Sequence, residues 1–166
     1  MTGFGVATKI NFLPLVLLPL IVLPSFRIKS YYIIGSILAF VIFTLPIINQ
    51  YDSFYKWIVG ILTHKGLYGQ GDSGFTDLAT YGQNIKDILK AAPFFTVTFF
   101  ISILVVLVFL PFNLFLKKKV TFSLKMLTAI LFAQEVNILI VAKHIKGYYI
   151  FTSLCLTGGN LFFIIV

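Results

Sequence analysis

Charge is scarce in this sequence. Lysine, arginine, aspartate and glutamate together make up 11% of the residues, while 59% are apolar. A soluble domain carries about a quarter charged residues, so an ordinary soluble fold is excluded and an integral membrane protein is indicated. Acidic groups are rarer still, with five against thirteen basic ones. In a soluble protein the resulting formal charge of +8 would suggest nucleic acid. Here most of the excess lies in short loops beside apolar runs, where positive charge sets topology and meets anionic head groups. Nucleic acid is therefore not an expected partner; the lipid bilayer is. The single cysteine, Cys155, falls inside an apolar run, which rules out an intrachain disulfide and a cysteine metal site. Stripes of small residues are sparse along the apolar runs, which speaks against a purely structural assembly subunit.

What the chain has in quantity is long apolar runs. A spanning helix needs about 17 to 20 mostly apolar residues, and about five stretches qualify: 10–26, 31–48, 93–116, 126–142 and 148–166. The expected fold is all-α, a single polytopic transmembrane bundle over 1–166. The first run carries Pro14, Pro19 and Pro24 and has a basic flank without a small-residue cleavage pattern, so it reads as a span rather than a signal peptide. Arg27-Ile28-Lys29-Ser30 is expected to turn the chain, and Lys117-Lys118-Lys119 ends the third run. Placing both basic loops in the cytoplasm puts 49–92 and the turn 143–147 on the outer face. The apolar ending 161–166, without a charged flank, leads us to expect a fragment of a longer protein.

The segment 49–92 is the one long stretch that water must solvate. Four lysines (Lys56, Lys65, Lys86, Lys90) balance four aspartates (Asp52, Asp72, Asp77, Asp87). Phe54, Trp57, Ile58, Ile61 and Leu62 recur at helical spacing and predict an interfacial helix over 53–63. Leu78, Tyr81, Ile85, Ile88 and Leu89 predict a second such helix. Gly69-Gln70-Gly71-Asp72-Ser73-Gly74, between them, formally matches a dinucleotide fingerprint. That motif needs a buried strand before it and a helix after it, and no strand precedes it here. A glycine-rich turn is the better expectation. His64, Asp72 and Asp77 could ligate a metal, but their irregular spacing has no diagnostic value, so neither a metal nor a cofactor is expected.

Two clusters carry more chemistry. Gln134, Glu135 and Asn137 fall near the middle of the fourth run, where an ionised carboxylate costs at least about 2.5 kcal/mol. Glu135 must therefore face a partner or a wet cavity. The three are candidate cavity-lining residues, with a structural interhelical hydrogen bond as the alternative. Lys143-His144-Ile145-Lys146, followed by Gly147-Tyr148-Tyr149, sits at the expected outer lip, on the side that positive charge ordinarily avoids. Those groups could hold a lipid phosphate at head-group depth, or could be snorkelling lysines beside an aromatic belt.

Gly3-Phe4-Gly5-Val6-Ala7-Thr8-Lys9, running into a proline-containing apolar helix, resembles a segment of polytopic glycosyltransferases of the GT-C class, which includes protein mannosyltransferases and aminoarabinose transferases. Val141-Ala142-Lys143-His144, with Tyr148-Tyr149 opening the last run, is similar to a late membrane segment of bacterial members. The proline expected after the tyrosines is replaced by Ile150-Phe151-Thr152. The resemblance implies sugar transfer from a polyprenyl-phosphate-linked donor on the outer face of a bacterial cytoplasmic membrane. It implies Lys9, Lys143 and His144 as donor-phosphate contacts, which Lys146 and Tyr148 of the lip cluster join as candidates from the residues themselves, and a catalytic carboxylate upstream of this chain. None of the loop aspartates has a context that marks it as that base. A transporter or flippase component is the competing expectation, from the polar fourth run and the prolines of the first.

Overall fold

A computed structural model describes residues 2–8, 10–64, 74, 78–143 and 150–165, and within these the chain is helical with no strand. The helices are α1 (Thr2–Thr8), α2 (Leu17–Val22), α3 (Phe26–Thr44), α4 (Tyr51–Thr63), α5 (Leu78–Ala91), α6 (Pro93–Phe115), α7 (Phe122–Lys143) and α8 (Phe151–Ile165). Short 3₁₀ segments join α1 to α2 (Ile10–Val16) and α3 to α4 (Leu45–Gln50).

Among the described residues, three helical stretches are long and apolar enough to cross a membrane: Phe26–Ile61, Pro93–Phe115 and Phe122–Lys143. The protein is an integral membrane protein on that ground. The first expected span is shorter in the structure, as the apolar helix Phe12–Val22, and the described part of the last is the apolar helix Phe151–Ile165. Proline explains the first of these. Pro14 cannot donate to a helical ladder and lies in the 3₁₀ segment. Pro24 pushes the residue before it out of the α region, so Leu23 is extended (φ −61°, ψ 132°) and α2 stops.

The basic tetrad does not turn the chain. Arg27, Lys29 and Ser30 belong to the first turns of α3, and the break falls at 23–25. Ser25 is extended and its hydroxyl accepts from the Ile28 amide at 3.3 Å, which caps the new helix. The interfacial helix expected over 53–63 begins two residues earlier, at Tyr51, and α5 covers the second apolar stripe. At the far end of α6 the trilysine forms a Schellman closure. Lys117 takes the left-handed conformation (φ 51°), its amide donates to Leu114 O at 3.1 Å, and the Lys118 amide donates to Asn113 O at 2.9 Å.

Helix α7 is the hub. It packs against α2, α5, α6, α8 and the first 3₁₀ segment, whereas α3 reaches the rest chiefly through α1. The α1–α3 approach is close because Gly3 has no side chain: a Cβ there would lie 2.1 Å from Ser36 O. Thr2, Ser36 and Tyr32 join their hydroxyls across that contact at 3.0 and 3.1 Å.

The burial pattern departs from that of a soluble protein, because polar side chains share the interior with an apolar core. Large apolar side chains cover the outside of α3 and α6, and the enclosed faces of α6 and α8 carry Thr98, Ser102, Thr152, Ser153, Thr157 and Asn160. Lipid solvates the apolar exterior, and polar groups turn inward where they can pair.

Candidate functional site

The mid-span cluster divides across the surface of α7. Successive helical residues point about 100° apart, so neighbours in sequence cannot all share one face. Gln134 and Asn137 are fully buried against α8, and Glu135 points out of the bundle. The Gln134 amide donates to Ser153 O at 3.1 Å and its oxygen accepts from Asn160 Nδ2 at 2.8 Å. The Ser153 hydroxyl donates to Asn137 Oδ1 at 2.8 Å. Thr157 adds a bond to Ser153 O at 3.1 Å. These side chains join two helices, and the three candidate residues do not line a common cavity. Asn160 Oδ1 alone is buried without a partner among the described residues.

The expected lip cluster is described only through Lys143. Lys9, His144, Lys146 and Tyr148 lie outside the described residues, as do Lys65, Asp72 and Asp77. Lys143 closes α7, where a cation complements the negative end of the helix dipole. Its ammonium donates to the backbone oxygen of Ile61 in the last turns of α4, which ties the α4 end to the hub. Beyond α4, His64 Nδ1 lies 2.9 Å from the Thr63 hydroxyl. No group of three metal-ligating side chains gathers among the described residues.

Helix α5 is held at this same end. The Tyr81 phenol donates to Leu139 O at 2.8 Å and the Asn84 amide donates to Ala142 O at 2.9 Å. Ala142 O lies in the last described turn of α7, so Asn84 ties α5 to that end of the hub. Partial burial raises the Tyr81 phenol above its ordinary value, which keeps it a donor. Thr96 Oγ1 donates to Leu89 O at 2.6 Å and stiffens the α5–α6 corner.

That corner forms an open groove of about 410 Å³, lined by Lys86, Leu89, Lys90, Pro93, Thr96, Val97 and Phe100. Its walls are almost wholly apolar. Lys86 and Lys90 are one turn apart on α5, and Asp87 is engaged by Gln83 at 2.8 Å rather than by either lysine. Two ammonium groups thus stand at the mouth of a greasy trough running onto a spanning helix. The sequence did carry a signal for it, since Lys86 and Lys90 at i and i+4 directly precede Pro93, but balanced charge over 49–92 hid the pair.

No family model, curated protein or solved structure matches this chain.

Proposed function

We propose that this protein engages an anionic amphiphile at the membrane surface, and that it does so as part of a GT-C-class glycosyltransferase acting on a polyprenyl-phosphate-linked sugar at the outer face of a bacterial cytoplasmic membrane. The observation that carries this is the α5–α6 groove. Lys86 and Lys90 at its mouth suit a phosphate, and Val97 and Phe100 on its floor suit an isoprenoid or acyl chain. The Gly3 to Lys9 and Val141 to His144 motifs add the glycosyltransferase character as a resemblance.

In this mechanism the lysine pair holds the donor phosphate and offsets charge developing on it as the glycosyl bond breaks. A carboxylate outside this chain removes the acceptor proton. Helices α4 and α5, amphipathic and docked at one end of α7, form the ledge on which the head group rests. Transport is less well supported, because the polar residues at mid-depth on α7 and α8 bond to one another instead of facing an open path.

A photoreactive polyprenyl phosphate is the test, applied to the purified protein in micelles. Wild type is expected to label about tenfold more than Lys86→Ala/Lys90→Ala, and the corresponding uncharged polyprenol is expected to label both weakly. Equal labelling by phosphate and alcohol would overturn phosphate recognition. Phosphate-selective labelling without any sugar transfer by membranes holding the intact protein would retain the amphiphile site and remove the transferase.

A further inference from the structure

Glu135 is the only charged residue between Lys125 and Lys143. At 1.5 Å per residue it lies about 15 Å from the first and about 12 Å from the second, which is mid-depth in a hydrocarbon core about 30 Å thick. Packed elements cover much of α7, and Leu131, Ala133, Gln134, Asn137 and Ile138 around Glu135 are buried. Glu135 instead shares an open stripe with Phe132 (46% exposed) and Leu139 (52% exposed), at i, i+3 and i+7. It has no hydrogen-bond or ion-pair partner among the described residues.

A carboxylate left in hydrocarbon at this depth is costly when ionised, and when protonated it still carries polar atoms that lipid cannot bond. The neighbouring amides show that this chain turns polar groups inward where it has partners for them. Glu135 lies on the outside of the hub and no described residue pairs with it, so this face is open to a partner from another helix. A second copy of these helices supplies no cation at this depth. The runs 31–50, 93–116, 126–142 and 148–166 contain no lysine, arginine or histidine, and two copies inserted with the same topology bring Glu135 to the same depth as Glu135.

We infer that the Phe132–Glu135–Leu139 stripe of α7 is a docking face for a transmembrane helix outside this sequence that carries a lysine or arginine near its midpoint. Phe132 and Leu139 supply packing above and below the charge pair, and the carboxylate fixes the depth and identity of the incoming helix. This inference is independent of the lipid groove, which lies on α5 and α6.

The probes are synthetic polyleucine helices with arginine, glutamine or leucine at the central position, reconstituted with the full chain in phosphatidylcholine vesicles. Association is read by fluorescence transfer to a label on Lys125→Cys, an exposed position of α7 outside the stripe, in a Cys155→Ala background; the native Cys155 is itself exposed. The arginine helix is expected to associate about tenfold more tightly than the leucine helix, with glutamine close to leucine. Glu135→Leu, which suits a lipid-facing position, is expected to abolish the arginine preference. Equal association of all three helices, or of the glutamine and arginine helices, would overturn the charge pairing. Self-transfer between labelled copies that Glu135→Leu removes would assign the stripe to a second copy instead.

Discussion

Helices α3 and α7 have similar lengths and both read as spans, yet their surroundings are opposite. In the most apolar window of the stretch that begins with α3, 6% of the residues are buried; in that of α7, 56% are. The more apolar helix is the more exposed one. In water the reverse would hold, because burial there follows apolar area. Between helices in lipid there is no such drive, and packing and hydrogen bonds decide which helix becomes central. Helix α7 carries Gln134 and Asn137 and is enclosed; α3 turns its Tyr32, Ser36 and Thr44 hydroxyls and the Phe40 ring to neighbours and exposes mostly isoleucine, leucine and phenylalanine.

This contrast can be broken most sharply at the α7–α8 seam. Gln134→Ala removes a fully buried side chain and strands Asn160 Nδ2, so a loss of about 3 kcal/mol is expected in micellar unfolding. The mirror change on α3, Ile37→Ala at a 56% exposed position, should alter stability by no more than about 0.5 kcal/mol. Comparable losses at both sites would sink the hub assignment. Gly3→Ala probes the one tight contact that α3 does make. The added methyl meets backbone at Ser36 O, and a cost of about 1 to 2 kcal/mol, with loss of cross-linking between α1 and α3 cysteine pairs, is expected.

A smaller effect tests the α5 attachment. Tyr81→Phe removes the bond to Leu139 O and should cost about 1 kcal/mol at neutral pH. It should also change the alkaline limb. The folded phenol holds its proton above the ordinary tyrosine range, so its contribution is complete below about pH 10 and fades as pH rises through the folded value. Wild type should therefore lose stability above about pH 10 faster than Tyr81→Phe. Parallel alkaline curves would show that the phenol is not desolvated at the α7 end.

Much of the architecture was legible from local pattern. The bounds of α6 follow from Pro93 and the trilysine, and those of α4 and α5 from apolar residues at helical spacing. The start of α3 was misplaced because Arg27 and Lys29 look like a loop, whereas the real break is set by Pro24 and the Ser25 cap. At mid-span, residue type located a special position on α7, but the direction of each side chain depends on where α8 packs. Ser153, Thr157 and Asn160 at i, i+4 and i+7 were the available signal, since three polar residues on one face of an apolar helix ask for a polar neighbour. The Lys86/Lys90 groove needed the α5–α6 corner, which is a tertiary fact.

The seam between α7 and α8 also constrains how the chain is made. Helix α8 has 15 residues, about 22 Å long, with Thr152, Ser153, Thr157 and Asn160 along one side. Released by itself into the bilayer, it would leave that side without partners. Partitioning from the insertion machinery is therefore favourable only when α7 is alongside to receive it, and the two helices should leave the translocon together as a hairpin. A ribosome stalled before α8 emerges would hold α7 with Gln134 and Asn137 uncovered, at the stage of synthesis where membrane quality control has most to recognise.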